Sequence, residues 1–157
     1  MRRKDREIDR KEALEIVDQC RYAVLSMATV SGEPYAVPLS TVRIGNNLYF
    51  HCAITGKKLD ILTENPNVCV VCVGDTKQVN TKFTVEYESA IIFGQAERIT
   101  YSEEKTEVLR HLCERHSPGN MSHFEEAVSQ SLHRTDIWKI SIDEITGKRR
   151  KLMKNPE

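Results

Sequence analysis

Apolar residues in this chain alternate with polar ones, or run unbroken, over short stretches set off by Gly, Pro and Asn clusters. Tyr22–Thr29, Tyr35–Arg43 and Leu48–Ala53 read as three strands. The turns between them are Ser31-Gly32-Glu33-Pro34 and Gly45-Asn46-Asn47. Pro38 cannot donate to a ladder, so it marks an edge strand or a bulge. Val68–Val73 is a continuous apolar strand, and the polar stretch Gly74–Thr81 reads as a loop. Lys82–Thr100 holds one long strand or two, with Gly94 as a bend or bulge. Thr135–Ile142 is the last strand and carries Trp138, the single tryptophan.

Helical spacing is rarer. Leu14, Val17 and Cys20 form a stripe that predicts a helix over 10–20, opened by a capping box of Asp9 and Glu12. Leu59 and Leu62 predict a helix over Lys57–Asn65 that follows Gly56 and stops before Pro66. Ser102 reads as the cap of a helix to about His116, broken by Ser117-Pro118-Gly119-Asn120. Ser122–Leu132 reads as a further short helix. Residues 1–8 and 147–157 are charged and read as loose ends. The sum is a mainly β protein, an antiparallel barrel of Greek-key type with appended helices, in one domain over 1–157. A doubly wound parallel sheet does not fit.

Composition narrows the class. At 157 residues the chain can bury roughly 70% of its unfolded surface without a disulfide or structural metal. Lys plus Arg balances Asp plus Glu, so the formal net charge is zero. That argues against a nucleic-acid partner. No apolar run reaches the roughly 20 residues of a membrane span, and the charged start does not resemble a signal peptide. The five cysteines are odd in number and read as reduced thiols, so a cytoplasmic protein is expected.

Candidate chemistry concentrates in Phe50-His51-Cys52-Ala53-Ile54-Thr55-Gly56-Lys57-Lys58-Leu59-Asp60. A strand delivers His51, Cys52 and Ala53 to its end, a glycine follows, and a helix opens on two lysines. Helix N-termini present unpaired N–H groups at the positive end of the dipole, which suits a phosphate. Gly56 lets an anion approach the backbone. Lysines in the first turn oppose the dipole by up to ~1 kcal/mol each, a cost that a bound dianion would offset. His51 could donate a ring N–H to the same anion. An ordinary turn with two solvated lysines fits the same residues.

Beyond this block, the chain resembles the pyridoxamine-phosphate-oxidase-like FMN-binding split barrels, and among them the nitroimidazole-resistance flavoproteins. The resemblance rests on Met1–Ile8, Tyr35-Ala36-Val37-Pro38-Leu39, the block from Phe50 to Asp60, Tyr87-Glu88-Ser89-Ala90 and Ile145-Thr146-Gly147-Lys148, in that order. It implies a homodimer with one flavin mononucleotide (FMN) in each of two clefts between the chains. It implies that Val37, Pro38 and Leu39 lie beside the flavin ring. His51, Cys52, Ala53, Gly56, Lys57 and Lys58 then bind the phosphate and ribityl chain, and Ser89 approaches from the partner. Cys52 departs from the small hydroxyl residue common at its position. The implied activity is an FMN-dependent oxidoreductase taking electrons from NADH or NADPH and passing them to nitroaromatic or quinone-like molecules. No catalytic acid–base residue stands out. A flavin-binding sensor or carrier without turnover and a haem-handling split barrel are the rival readings.

Other groups carry weaker signals. Cys69-Val70-Val71-Cys72 has Cys-x-x-Cys spacing, but residues three apart on a strand face opposite sides. His111, Cys113, His116 and His123 match no standard zinc pattern, so no metal site is expected. Lys148-Arg149-Arg150-Lys151 reads as a solvated basic tail. Trp138 and Tyr49 read as core or interface anchors.

Overall fold

A computed structural model describes residues 2–81 and 83–151. Nine strands form one sheet: β1 (Glu7–Ile8), β2 (Ala23–Ala28), β3 (Pro34–Leu39), β4 (Thr41–Ile44), β5 (Asn47–Ala53), β6 (Asn67–Val79), β7 (Thr84–Ile99), β8 (Thr135–Ser141) and β9 (Glu144–Arg150). Four helices accompany them: α1 (Arg10–Gln19), α2 (Lys57–Glu64), α3 (Ser102–His116) and α4 (Phe124–Ser131). The strand order is β3-β2-β6-β7-β8-β5-β4, with β9 on β7 and β1 on β9, and the pairs are antiparallel. The antiparallel, helix-decorated barrel expected from the sequence is therefore present.

The expected strand Tyr35–Arg43 is two strands. β3 pairs with β2 and β4 pairs with β5, so the chain crosses at Ser40 between the two ends of the sheet. The barrel is joined there by covalent chain and not by a ladder, and the split lies at this seam. Pro38 sits on β3, the edge strand, where a missing N–H costs no ladder bond.

Three more expectations change or are resolved. The polar stretch after Val73 continues as β6, because a register shift between Val73 and Thr76 absorbs Gly74-Asp75 and pairing to β7 resumes. β7 is one strand; Lys82 at the start of the expected stretch lies outside the described residues. Gly94 marks the change of partner along β7, from β9 up to Phe93 to β8 from Ala96. Thirdly, Glu144–Arg150 is a strand and not a loose tail, and it recruits Glu7-Ile8 as its own neighbour. Its charge is matched: Arg149 Nε donates to Glu88 Oε2 at 2.8 Å and Nη1 to Glu12 of α1. Residues 152–157 of the expected tail lie outside the described residues.

The Asp9–Glu12 capping box forms in both directions. Ser102 is the first residue of α3 and not its cap; Tyr101 holds that position without a side-chain bond. Two cores result. The barrel interior gathers Ile16, Leu25, Leu48, Phe50, Val70, Ile92, Trp138 and Ile140. The outer side of β4, β5 and β8 packs Val42, Tyr49 and Ile137 against Leu109 and Leu112 of α3 and Phe124 of α4. Trp138 and Tyr49 are thus core residues. Among the described residues no helix is long and apolar enough to cross a membrane.

Candidate functional site

β5 alternates between these two cores, and the alternation sorts the candidate residues. Leu48, Phe50 and Cys52 face the barrel interior, whereas Tyr49 and His51 face the helical side. His51 and Cys52 therefore diverge, although they are neighbours in sequence. The chain then bends through Ile54-Thr55-Gly56 into α2. Gly56 is the N-cap residue at φ 139° and ψ 160°, a conformation that L residues rarely adopt, and no side chain caps the helix. A Cβ added at Gly56 would meet nothing within 4 Å. The amides of Leu59 and Asp60 bond the Gly56 carbonyl. Those of Lys57 and Lys58 have no carbonyl within the helix to reach.

The two lysines take different directions. Lys57 Nζ donates to Glu33 Oε1 at 3.0 Å and lies 5.1 Å from the Tyr35 ring centre, which ties α2 to the start of β3. Lys58 Nζ stands 5.4 Å from the Phe50 ring centre, and its charge acts on both His51 and Cys52. Partial burial holds the His51 imidazolium below its ordinary range, and the charges of Lys58 and His116 add to that. In its neutral form the His51 ring carries one N–H to give. Burial pushes the Cys52 thiol up; Lys58 opposes, Asp136 adds, and Arg98 and Lys105 oppose. Cys52 is half-buried and packs against the interior core.

On β3, Val37 and Leu39 are half-buried against the interior core, while Pro38 is exposed. Ala53 is exposed at the end of β5, opposite Thr135. Ser89 lies away from this group within one chain, between Val73 of β6 and Lys148 of β9. The structure thus joins the β3 start, through Glu33 and Tyr35, to the α2 head that follows β5, while Val37, Pro38 and Leu39 lie at the other end of β3 and Ser89 lies on β7.

Two features were not legible in the sequence. His116, weighed only as a metal ligand, reaches the Thr41 carbonyl with Nε2 at 2.9 Å and sits near enough to His51 to depress it. Asp136 is 1% exposed between two cations: Arg98 Nη2 lies 2.8 Å from Oδ2, and Lys105 Nζ 3.3 Å from Oδ1. Register brings these together, since Arg98 pairs with Trp138 and Asp136 with Cys52. No sequence spacing connects them. His111 pairs with Glu114, and His123 with Ser122, so the histidine group disperses. Among the described residues no three His, Cys, Asp or Glu side chains lie together as metal ligands. Cys69 is half-exposed and Cys72 buried, on opposite faces of β6 as strand geometry requires.

Solved structures share this shape. A 5-nitroimidazole antibiotic resistance protein of Bacteroides thetaiotaomicron, so assigned provisionally, is 27% identical with a TM-score of 0.76, over 91% of this chain and 86% of that one. The flavocytochrome Anf3 of Azotobacter vinelandii is 22% identical with a TM-score of 0.77, over 92% of this chain and 68% of that one. The FAD and haem binding protein of Mycobacterium smegmatis is 21% identical with a TM-score of 0.78, over 95% and 75%. The last two likenesses show the fold alone. Among curated proteins none matches significantly. The family model for pyridoxamine 5'-phosphate oxidase matches residues 9–149, from the α1 cap to the Arg149 clasp, and the chain belongs to that family.

Proposed function

We propose that this protein binds FMN with its phosphate at the head of α2 and works as an FMN-dependent oxidoreductase in a homodimer. The observation that carries the reading is Gly56. It holds an extended, left-handed backbone over open space, at the start of an uncapped helix flanked by Lys58 and His51. A phosphate suits that donor set: two free amides, one ammonium and one neutral imidazole N–H. Lys57 is held by an exposed pairing with Glu33, an interaction worth ~1 kcal/mol or less, so it can turn to the anion at little cost.

Bound FMN supplies electron transfer between a reduced nicotinamide donor, NADH or NADPH, and a nitroaromatic or quinone-like acceptor. The protein's part is placement. α2 anchors the phosphate, Pro38 on the free edge of β3 offers a flat apolar surface to the ring, and the split at Ser40 leaves both strand ends accessible. Tyr22, Val73, Val85 and Phe93 are exposed. By strand alternation and register they share with Ser89 the outward face of β2, β6 and β7. A second copy covering that face would bring Ser89 to its neighbour's cofactor.

The test begins with the absorption spectrum of the purified protein and the mass of its heat-released cofactor. FMN, bleached anaerobically by NADH or NADPH, supports the reading. FMN that no donor bleaches leaves a carrier or sensor. A Soret band on haem addition, with no flavin uptake, supports a haem handler instead. The phosphate placement has its own test. Changing Lys57 and Lys58 together to Ala should weaken FMN at least ~10-fold, about 1.4 kcal/mol, and riboflavin hardly at all. Equal losses for both ligands would reject it.

A further inference from the structure

Register sets Phe50 of β5, Trp138 of β8 and Arg98 of β7 in one row across the interior face, with Cys52 opposite Asp136 in the next row. Lys58 stands over the Phe50 end of the first row, and the chain turns towards α2 just beyond the second, after Ala53. We propose that Arg98 is a second cation for the phosphate at the head of α2 and that, with Lys58, it selects the terminal phosphate of FMN over the pyrophosphate of FAD. The inference rests on the flavin reading above and concerns the cofactor named there.

The charges at this end of the face do not balance. Asp136 is its buried carboxylate, and Lys105 is the committed partner. Lys105 Nζ stands 3.3 Å from Oδ1 and donates to the Thr135 carbonyl at 3.4 Å, with its side chain 15% exposed. Arg98 is held more loosely. It meets the carboxylate through Nη2 alone, 2.8 Å from Oδ2 and donating to Oδ1 at 3.0 Å, and its side chain is 53% exposed. Its Nε and Nη1 have no partner among the described residues. Lys58 meets a ring and, among the described residues, no carboxylate. Trp138, between Phe50 and Arg98, keeps a buried indole N–H without a partner, so a further donor is unspent in the same row. Burial pushes the half-buried Cys52 thiol up, and the charges that reach it are those of Lys58, Asp136, Arg98 and Lys105. Three cations face one carboxylate, which leaves two positive charges unmatched.

A phosphate monoester answers that surplus. Near neutral pH it carries about −1.5 to −2 charges on three acceptor oxygens. In FAD the same phosphorus is part of a pyrophosphate: it carries a single charge, and one of those oxygens is bonded to the adenylate half. The Arg98 guanidinium stays charged at any working pH and has donors to spare. Its ion pair with Asp136 holds it in place beforehand, so less side-chain freedom is lost on binding. Lys58 and the α2 amides supply the other donors.

The experiment titrates the protein, freed of bound flavin, with FMN, FAD and riboflavin and follows flavin fluorescence. Wild type should bind FMN at least ~10-fold more tightly than FAD. Arg98→Met should lose FMN at least ~10-fold, the scale of one charge-assisted bond, FAD less, and riboflavin hardly at all. Arg98→Lys keeps a cation beside Asp136 and should lose FMN a few-fold; with the wild-type order it decides the matter should Arg98→Met not fold. Equal wild-type affinity for FMN and FAD, losses shared equally by all three flavins, or FMN affinity unchanged in both variants would each overturn the inference and leave the flavin site standing. A wild-type protein that binds none of the three would overturn the flavin reading and this inference together.

Discussion

A Cβ placed on Gly94 would stand 1.7 Å from the Ser141 carbonyl oxygen, whereas one placed on Gly56 would meet nothing within 4 Å. The first glycine serves the protein's own packing. At the junction of β7, β8 and β9, Gly94 meets backbone so closely that no side chain fits, and Gly147 is hemmed in by the side chains of Ile8 and Ala13. The second packs against nothing: its backbone conformation is one that other residues rarely adopt, yet the space beside it is empty. The charges differ in the same sense. At the junction Arg149 is met by two carboxylates, Glu88 and Glu12, while Lys58 at the α2 head stands over the Phe50 ring. A filled, neutralised region holds the fold, and an open, under-neutralised one is the place to look for a ligand.

The comparison can be broken most severely at Gly94. Gly94→Ala should cost ~4 kcal/mol or more, because the obstacle is backbone and cannot swing aside. A urea unfolding midpoint close to wild type would show that the junction is looser than described. Gly147→Ala comes next, at ~1–3 kcal/mol, since the nearest atom, 2.5 Å away, belongs to the flexible Ile8 side chain. Both variants should bind FMN normally once folded.

Gly56→Ala should behave in the opposite way. Strain of ~1–3 kcal/mol falls on a bend with nothing packed on it, which can partly re-form, so the unfolding midpoint should move less than FMN affinity. An affinity loss of at least ~10-fold at nearly constant stability would set the two glycines apart; loss of stability alone would make Gly56 a second packing glycine.

The smallest effect expected is a pH dependence. His51 is held below the ordinary histidine value, so the unfolded chain binds its proton more readily. Without ligand, that group's contribution to stability falls as pH drops from the ordinary value towards the depressed one. An anion beside the ring reverses the preference, so FMN binding should gain a few-fold over the same window in wild type relative to His51→Gln. Identical pH profiles for the two, measured by flavin fluorescence, would remove His51 from the phosphate site.

Much of this was legible from residue order. The Asp9 capping box, the α2 limits, the edge position of Pro38 and the opposed faces of Cys69 and Cys72 are all local, set by one turn of helix or one strand's alternation. The candidate phosphate seat was legible for the same reason, because a strand end, a glycine and a helix start are consecutive in the chain. β9 was not. Lys148, Arg149 and Arg150 look like tail residues until Glu12 and Glu88 arrive from elsewhere to neutralise one of them. The division of Tyr35–Arg43 at Ser40 was hidden too, since both halves have strand character and only their partners differ.

By itself, then, the sequence determined most of the elements, the alternation along each strand and a strand–glycine–helix stretch of the kind that can seat an anion. Those depend on dihedral preferences and side-chain spacing over a few residues. Only the tertiary structure decided which cations surround Asp136, that His116 bonds the Thr41 carbonyl and acts on His51, and that His51 and Cys52 serve different sides of the sheet. These are contacts between distant segments, fixed by strand register and helix docking, and a one-residue slip in either would exchange the partners.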